Sequence, residues 1–319
     1  MTARESAGGS AIVSPGTAAV RPCAPSLFPH QIGTSPLGAL WMLVAGALFA
    51  AMGVFAKLGS AWFSSGELVF WRSVIGFASI AILAKSRGWS LGTPHWRLHL
   101  TRGVSGVVSL GLYFYCISRL PLSTAVTLNY TSPLFLALFT TLLLHERFRW
   151  PMVAALGLAF AGVILLLEPT LREDQFRDGL LGLASGLLAA VAYINVKQLG
   201  ATGEPGWRVV FYFTVVSTAG SAVWIAITGF QVPTLDTVWV LLGLGGTATI
   251  AQFCMTRAYH TGNTLVVGAL AYSTVVVSTL FQLAVWREVP PVTAWVGIAM
   301  IVAGGVMSLW ANRSPARRR

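Results

Sequence analysis

Charge is scarce in this 319-residue sequence: Asp, Glu, Lys and Arg make up 10% of it, against about 25% in an average soluble domain. That scarcity excludes an ordinary water-soluble enzyme, and an apolar content of 55% excludes a disordered chain except at the ends. Acidic residues are rarest, 10 against 21 Lys and Arg, which leaves a formal charge of +11. A nucleic-acid binder would gather that surplus into a basic patch on a soluble fold, whereas here the basic residues punctuate long apolar runs. Cysteine is limited to Cys23, Cys116 and Cys254, without metal-type spacing, so neither a disulfide framework nor a zinc site is expected. His95 and His99 lie in a basic loop with no nearby carboxylate in sequence and are expected to face solvent or headgroups. The sequence has no G-x-x-x-x-G-K-[ST] loop, which argues against ATP-driven pumping. It also lacks an intramembrane histidine, paired carboxylates and a G-x-S-x-G motif, which argues against an intramembrane enzyme. No metal and no cofactor are expected.

What the chain does have is apolar length. Residues 1–36, rich in Ala, Ser, Gly and Pro, read as a disordered cytoplasmic tail. After them, runs of roughly 20 residues, enough to cross about 30 Å of hydrocarbon as helix, occupy 37–58, 67–84, 101–118, 122–143, 150–168, 179–199, 207–229, 236–258, 263–286 and 291–311. A barrel is excluded, because its strands alternate apolar and polar residues and the run 134–144 is apolar on nearly all sides. The fold expected is an all-α membrane protein of ten transmembrane helices. With the N-terminus inside, 15 of the 21 basic residues fall on the cytoplasmic side, Arg102 among them; five fall outside, and Arg72 lies within the second span. The positive-inside rule then places both termini in the cytoplasm, with a basic tail at 312–319.

A self-similarity runs through the spans. At a shift of 142, Leu128, Tyr130, Glu146 and Gly162 fall on Leu270, Tyr272, Glu288 and Gly304; Lys57 matches Lys197 at 140, and Phe70-Trp71 matches Phe211-Tyr212 at 141. Two units of five helices follow, 37–168 and 179–311, joined by an external linker at 169–178. Five is odd, so the second unit enters the membrane from the opposite side. This is the inverted repeat of secondary transporters, whose substrate sits near the midplane between the halves.

The stretch Leu143-Leu144-His145-Glu146 through Pro151, Gly157 and Ala161-Gly162 to Leu167 resembles the end of an EamA domain, as does its second copy, Arg287-Glu288 through Gly297 to Ala303-Gly304-Gly305. The turn Arg119-Leu120-Pro121-Leu122-Ser123-Thr124-Ala125 resembles the one between the third and fourth helices of such domains. The chain is therefore similar, over 37–311, to the ten-helix EamA proteins of the drug/metabolite transporter superfamily. Two departures stand out: Val275 occupies the place of Pro133, and Phe213 that of Arg72. The resemblance implies transport of an amino acid, metabolite, drug or nucleotide conjugate across a bacterial inner membrane, with export of an amino-acid-like metabolite as the leading expectation. Uptake or exchange of a nucleotide-like or other anionic metabolite is the alternative, and an enzyme or a non-transporting scaffold is the alternative from another class.

Polar residues inside hydrocarbon mark the path expected for the cargo. Arg72 lies about 8 Å into its span at 1.5 Å per residue, shallow enough to snorkel toward the outer face, and Glu67 is too far round the helix to pair with it. Asn129, Tyr130 and Ser132 precede Pro133, which would kink the span and free a carbonyl; Tyr272 and Ser273 repeat the cluster, and the two are expected to face each other across a central cavity. Tyr115, Tyr193, Asn195 and Gln252 complete the candidate substrate-binding set, with Lys57 and Lys197 as gating or basic span ends. The partners expected are a small-molecule substrate and the bilayer, with no nucleic acid, and a monomer suffices. Because no carboxylate lies deep in a span, facilitated or exchange transport is expected over proton symport.

Overall fold

The computed structural model describes residues 36–143, 150–167, 176–262 and 264–311. The expected tails, Glu146 and most of the linker 169–178 lie outside the described residues. Along the chain run α1 (Pro36–Gly59), α2 (Ser65–Ser86), α3 (Trp96–Arg119), α4 (Leu122–Asn129), α5 (Ser132–Leu143), α6 (Trp150–Leu167), α7 (Phe176–Ala201), α8 (Gly206–Thr228), α9 (Leu235–Thr261), α10 (Thr264–Ala271), α11 (Ser273–Trp286) and α12 (Val292–Ala311), with no strand among the described residues. Six of them, α1 to α3 and α7 to α9, are each long and apolar enough to cross a membrane. The chain is an all-helical, multi-pass membrane protein.

Local chemistry sets several boundaries. Ser64 caps α2 in a reciprocal capping box: Glu67 N–H donates to Ser64 Oγ at 3.3 Å and Ser64 N–H to Glu67 Oε2 at 2.7 Å. Gly229 ends α8 at φ +100°, a left-handed value that glycine adopts without steric cost. The surface is inverted relative to a soluble protein. Ile82, Val223, Ile227, Leu242, Ile250 and Leu280 are exposed, while Arg72, Ser109, Asn129, Ser185, Gln252 and Gln282 are buried. Such a surface is stable against lipid and a liability in water.

The helices pack pairwise: α1 against α9, α3 against α7, α2 against α8 and α6 against α12. Two expected spans are not continuous. The run 122–143 divides into α4 and α5 around Tyr130 and Thr131, and the run 263–286 divides into α10 and α11 at Tyr272. Pro133 sits in the first turn of α5, where a missing N–H loses no helical bond; it opens a new helix rather than kinking an unbroken one. Since the second break carries Val275 there, proline is not what the two breaks share. Both rest on a glycine. A Cβ on Gly186 of α7 would stand 2.5 Å from Thr131 Oγ1 and 2.8 Å from the Leu128 carbonyl oxygen; one on Gly46 of α1 would stand 2.7 Å from Ser273 Oγ and 2.8 Å from Thr274 Oγ1. Bare backbone at 46 and 186 lets each interrupted helix approach its neighbour.

Gly186→Ala is accordingly expected to lower stability by about 1–3 kcal/mol through overpacking. Gly157→Ala, where a Cβ meets nothing within 4 Å, is expected to be neutral or to stabilise by up to about 1 kcal/mol. Thermal unfolding of the two purified variants in detergent checks the contrast.

Candidate functional site

Where α1, α2, α3, α4, α7, α8 and α9 converge, they line a cavity of about 70 Å³. Its wall is made by Phe49 and Met52 of α1, Arg72 of α2, Arg102, Gly106, Ser109, Leu110 and Tyr113 of α3, Asn129 of α4, and Tyr130 just after it. Ala189, Ala192 and Tyr193 of α7, Phe213 of α8, and Gln252 and Met255 of α9 complete it. Arg72 is 5% exposed and points inward: its Nη2 donates to Gln252 Oε1 at 3.4 Å, and its Cζ lies 5.4 Å from the centre of the Phe213 ring. The expected snorkelling is corrected here, because α2 turns this face toward α9 and not toward lipid. Glu67 is spent elsewhere, accepting from Ser64 N–H and from Gln231 N–H in the α8–α9 loop.

Arg102 is the residue that sequence reasoning missed. Starting the third span at 101 made Arg102 its interfacial edge, but α3 starts at Trp96 and carries Arg102 well inside the fold. It is 3% exposed, with Cζ 4.0 Å from the same Phe213 ring. The signal was present: Arg102, Ser105, Gly106, Ser109 and Tyr113 recur at helical spacing and form one small, polar face.

Of the candidate residues, Arg72, Asn129, Tyr130, Tyr193 and Gln252 line the cavity. Asn129 is held by its Nδ2, which donates to Ser185 Oγ at 3.0 Å, and Tyr193 stacks on Tyr259 with ring centres 5.3 Å apart. Ser132, Asn195 and Tyr272 are buried outside this wall, Ser273 packs toward Gly46, and Tyr115 lies under the guanidinium of Arg119 at 5.7 Å. The two polar clusters therefore do not both face one cavity: the second is taken up in the contact between its break and α1. Lys57 and Lys197 cap helices. Lys57 Nζ donates to the carbonyls of Ile117 and Leu120, each at 2.8 Å, at the end of α3; Lys197 Nζ donates to the Tyr259 carbonyl at 3.3 Å, near the end of α9. Each ammonium meets carbonyls that a helix end leaves without partners, at its negative pole.

Near each end of the bundle one glutamate ties a loop to the helices. At the end carrying the start of α1, Glu204 in the α7–α8 turn accepts from Thr93 Oγ1 and, at 2.8 Å, from Arg208 Nη1. Arg208 Nη2 and Tyr212 Oη donate to the Ser90 and Leu91 carbonyls at 2.8 Å, and Trp89 stacks on Trp207 at 4.6 Å. The α2–α3 loop is thus fastened to α8. His99 joins this clasp: it is 1% exposed, with Nε2 3.9 Å from Glu204 Oε2. A solvated His99 without a carboxylate, as its sequence neighbours suggested, is corrected, because Glu204 arrives from more than 100 residues away. At the opposite end, Glu67 ties the start of α2 to the α8–α9 loop through Gln231 N–H, beside the Trp71–Phe230 contact at 6.0 Å.

Burial raises the Glu204 pKa, but the hydrogen bonds from Thr93 and Arg208, with the charges of Arg208 and His99, outweigh it and hold the carboxyl below its ordinary range. A depressed carboxylate pKa stabilises the clasp above the ordinary value and ceases to do so as pH falls through the depressed one. The Trp89–Trp207 stack is therefore expected to persist from neutral pH down to the ordinary carboxylate range and to loosen only below it. Glu204→Gln is expected to speed hydrogen exchange in residues 87–95 at neutral pH while leaving 229–234 unchanged; near-ultraviolet circular dichroism and hydrogen-exchange mass spectrometry read the two effects.

Comparison with known proteins agrees with this architecture. The description "EamA-like transporter family" matches residues 36–168 and 179–310. The pseudopaline exporter of Pseudomonas aeruginosa is 31% identical over 271 residues, 85% of this chain and 92% of that protein. A riboflavin transporter of Vibrio cholerae is 28% identical over 88% of this chain and 96% of its own length. An S-adenosylmethionine uptake transporter of Rickettsia bellii is 22% identical over 90% and 98%. A solved crystal structure, 22% identical, superposes with a TM-score of 0.66 over 87% of this chain and 98% of its own, and so shares the fold. The chain belongs to the EamA-like transporter family, and it is a small-metabolite transporter of the membrane rather than an enzyme.

Proposed function

We propose that this protein exports a small, amino-acid-like organic metabolite across the bacterial inner membrane by alternating access. In this reading it crosses ten times, as two inverted five-helix units with both termini in the cytoplasm. The observation that carries the proposal is the cavity itself, which is built from helices of both halves and lies between two clasps at opposite ends. Opening one clasp while the other stays shut would expose Arg72 and its neighbours to one side at a time, which is how a carrier avoids acting as a leak.

Three-dimensional contacts support the inverted units. The bond from Lys57 to the Ile117 carbonyl and the bond from Lys197 to the Tyr259 carbonyl join residues shifted by 140 and 142 positions. Gly46 and Gly186, 140 apart, each seat a broken helix. Discontinuous helices beside a site near the midplane are a transporter device, since unwound backbone is tolerated in the membrane only where protein or a cavity covers it. Export is favoured by the name of the 31%-identical relative, an exporter. Facilitated or exchange transport is favoured because no Asp, Glu or His belongs to the cavity wall, leaving no group there to load and release a proton. The cavity lies within a single chain, so a monomer suffices.

Comparative metabolomics of medium and cytosol, with and without the protein, is expected to show redistribution of one metabolite without chemical change; transport into proteoliposomes then follows for that compound. Arg72→Ala is expected to abolish this transport at unchanged membrane level, and an imposed pH gradient is expected to leave the wild-type rate within about twofold, a difference below 1 kcal/mol. Undiminished transport by Arg72→Ala, or a steep dependence on the gradient, contradicts the proposal.

A further inference from the structure

The cavity wall contains two guanidinium groups and, among the described residues, no carboxylate. Among the described residues, the carboxylate that pairs with an arginine is Glu204, on Arg208 and outside this wall in the α7–α8 turn. Burying an unpaired charge costs far more than a cation–π contact with one phenyl ring returns, and both guanidinium groups share the single ring of Phe213. The uncompensated polar atoms in this wall are also of one kind. Arg72 Nε, Arg102 Nε and Gln252 Nε2 are all buried donors without a partner, and none of them can accept. Gln252 has already spent its carbonyl oxygen on Arg72, so its amide nitrogen is what remains. Such a set is completed by a ligand group that only accepts.

The geometry is built rather than incidental. Arg102 folds over Gly106 of its own helix, where a Cβ would overlap Arg102 Nη1 and stand 2.8 Å from Phe213 Cε2. Any larger residue at 106 would push the guanidinium off the ring. Beyond the donors, the wall is Phe49, Met52, Tyr113 and Met255, a lining for an organic body rather than a hydrated inorganic ion.

We propose that Arg72, Arg102 and Gln252 bind a carboxylate of the cargo, so that the substrate class is organic acids and carboxylate-bearing zwitterions. The planar carboxylate presents two oxygens to the forked N–H groups of a guanidinium, the pairing that arginine favours over lysine. This inference rests on the transport reading of the same cavity but makes a separate demand: the cargo must carry a carboxylate.

The test is a binding measurement on the full chain purified in detergent, with phenylsuccinate, its diamide and phenyl phosphate as probes and thermal unfolding as readout. Phenylsuccinate is expected to raise the midpoint with rising concentration and the diamide to leave it unchanged. Arg72→Gln, Arg102→Gln and Gly106→Ala are each expected to weaken the apparent affinity by about tenfold to a hundredfold, the range for losing a charge-assisted hydrogen bond. Gly106→Ala keeps both charges, and the comparison of probes on the unaltered chain needs no variant, so the proposal stays testable if a glutamine variant fails to fold. Equal stabilisation by the diamide, stabilisation by phenyl phosphate alone, stabilisation by none of the three, or unchanged affinity in Arg102→Gln overturns it. Redistribution of a metabolite lacking any carboxylate would overturn this inference and the amino-acid-like cargo while leaving alternating-access transport through this cavity standing; no redistribution at all would overturn the transport proposal first.

Discussion

Two arginine side chains buried against one phenylalanine, with no acid beside them, are the constraint around which the rest of this fold is arranged. A guanidinium stays protonated even at depth, so Arg72 and Arg102 cannot escape their cost by shedding a proton. The surroundings must shield them instead. Phe213 gives both a polarisable face, Gln252 gives Arg72 an acceptor, and Gly106 gives Arg102 room. Near each end of the bundle a glutamate joins elements distant in sequence: Glu204 meets Thr93 of the α2–α3 loop, and Glu67 meets Gln231 of the α8–α9 loop.

In the proposed two-unit reading, some features recur along the chain and others do not. Lysine caps and glycine seats recur in both halves at shifts of 140 to 142 residues, while the polar wall does not. The position related to Arg72 is Phe213, and the charge of one half rests on the ring of the other. Asn129 and Tyr130 reach the cavity, whereas Ala271 and Tyr272 are buried outside its wall, and Ser273 and Thr274 beside them pack on Gly46 of α1. Phe213 places an aromatic ring, in place of a further charge, against the guanidinium groups of Arg72 and Arg102.

Much of this was legible in the sequence, for physical reasons. Apolar length marked the helices, because each crossing must satisfy its own backbone, and rarity made Arg72, Tyr130 and Gln252 stand out among Leu, Ala and Gly. Three things escaped. Arg102 was hidden by its neighbours Arg97, His99 and Thr101, which made the start of α3 look like a loop. The break at Tyr272 carries no proline; what it shares with the first is a seat on a glycine, Gly46, which precedes it by more than 200 residues. The surroundings of His99 depend on Glu204, brought near only by the packing of α8 on α2 and α3. Periodicity reports what one helix does, and each of these features is a property of two.

The alternation of the two ends can be measured by pulsed electron–electron spectroscopy on a chain without Cys23, Cys116 and Cys254. One label pair would span the Glu204 clasp, at Gly92→Cys and Thr202→Cys; a second would span the Glu67 clasp, at Ala61→Cys and Val232→Cys. All four positions are exposed and outside the cavity wall. If the cavity is a carrier site, adding transported substrate redistributes the populations so that a long distance at one end always accompanies a short one at the other. Long distances at both ends in the same molecules, or distances at both ends that do not change, would contradict it.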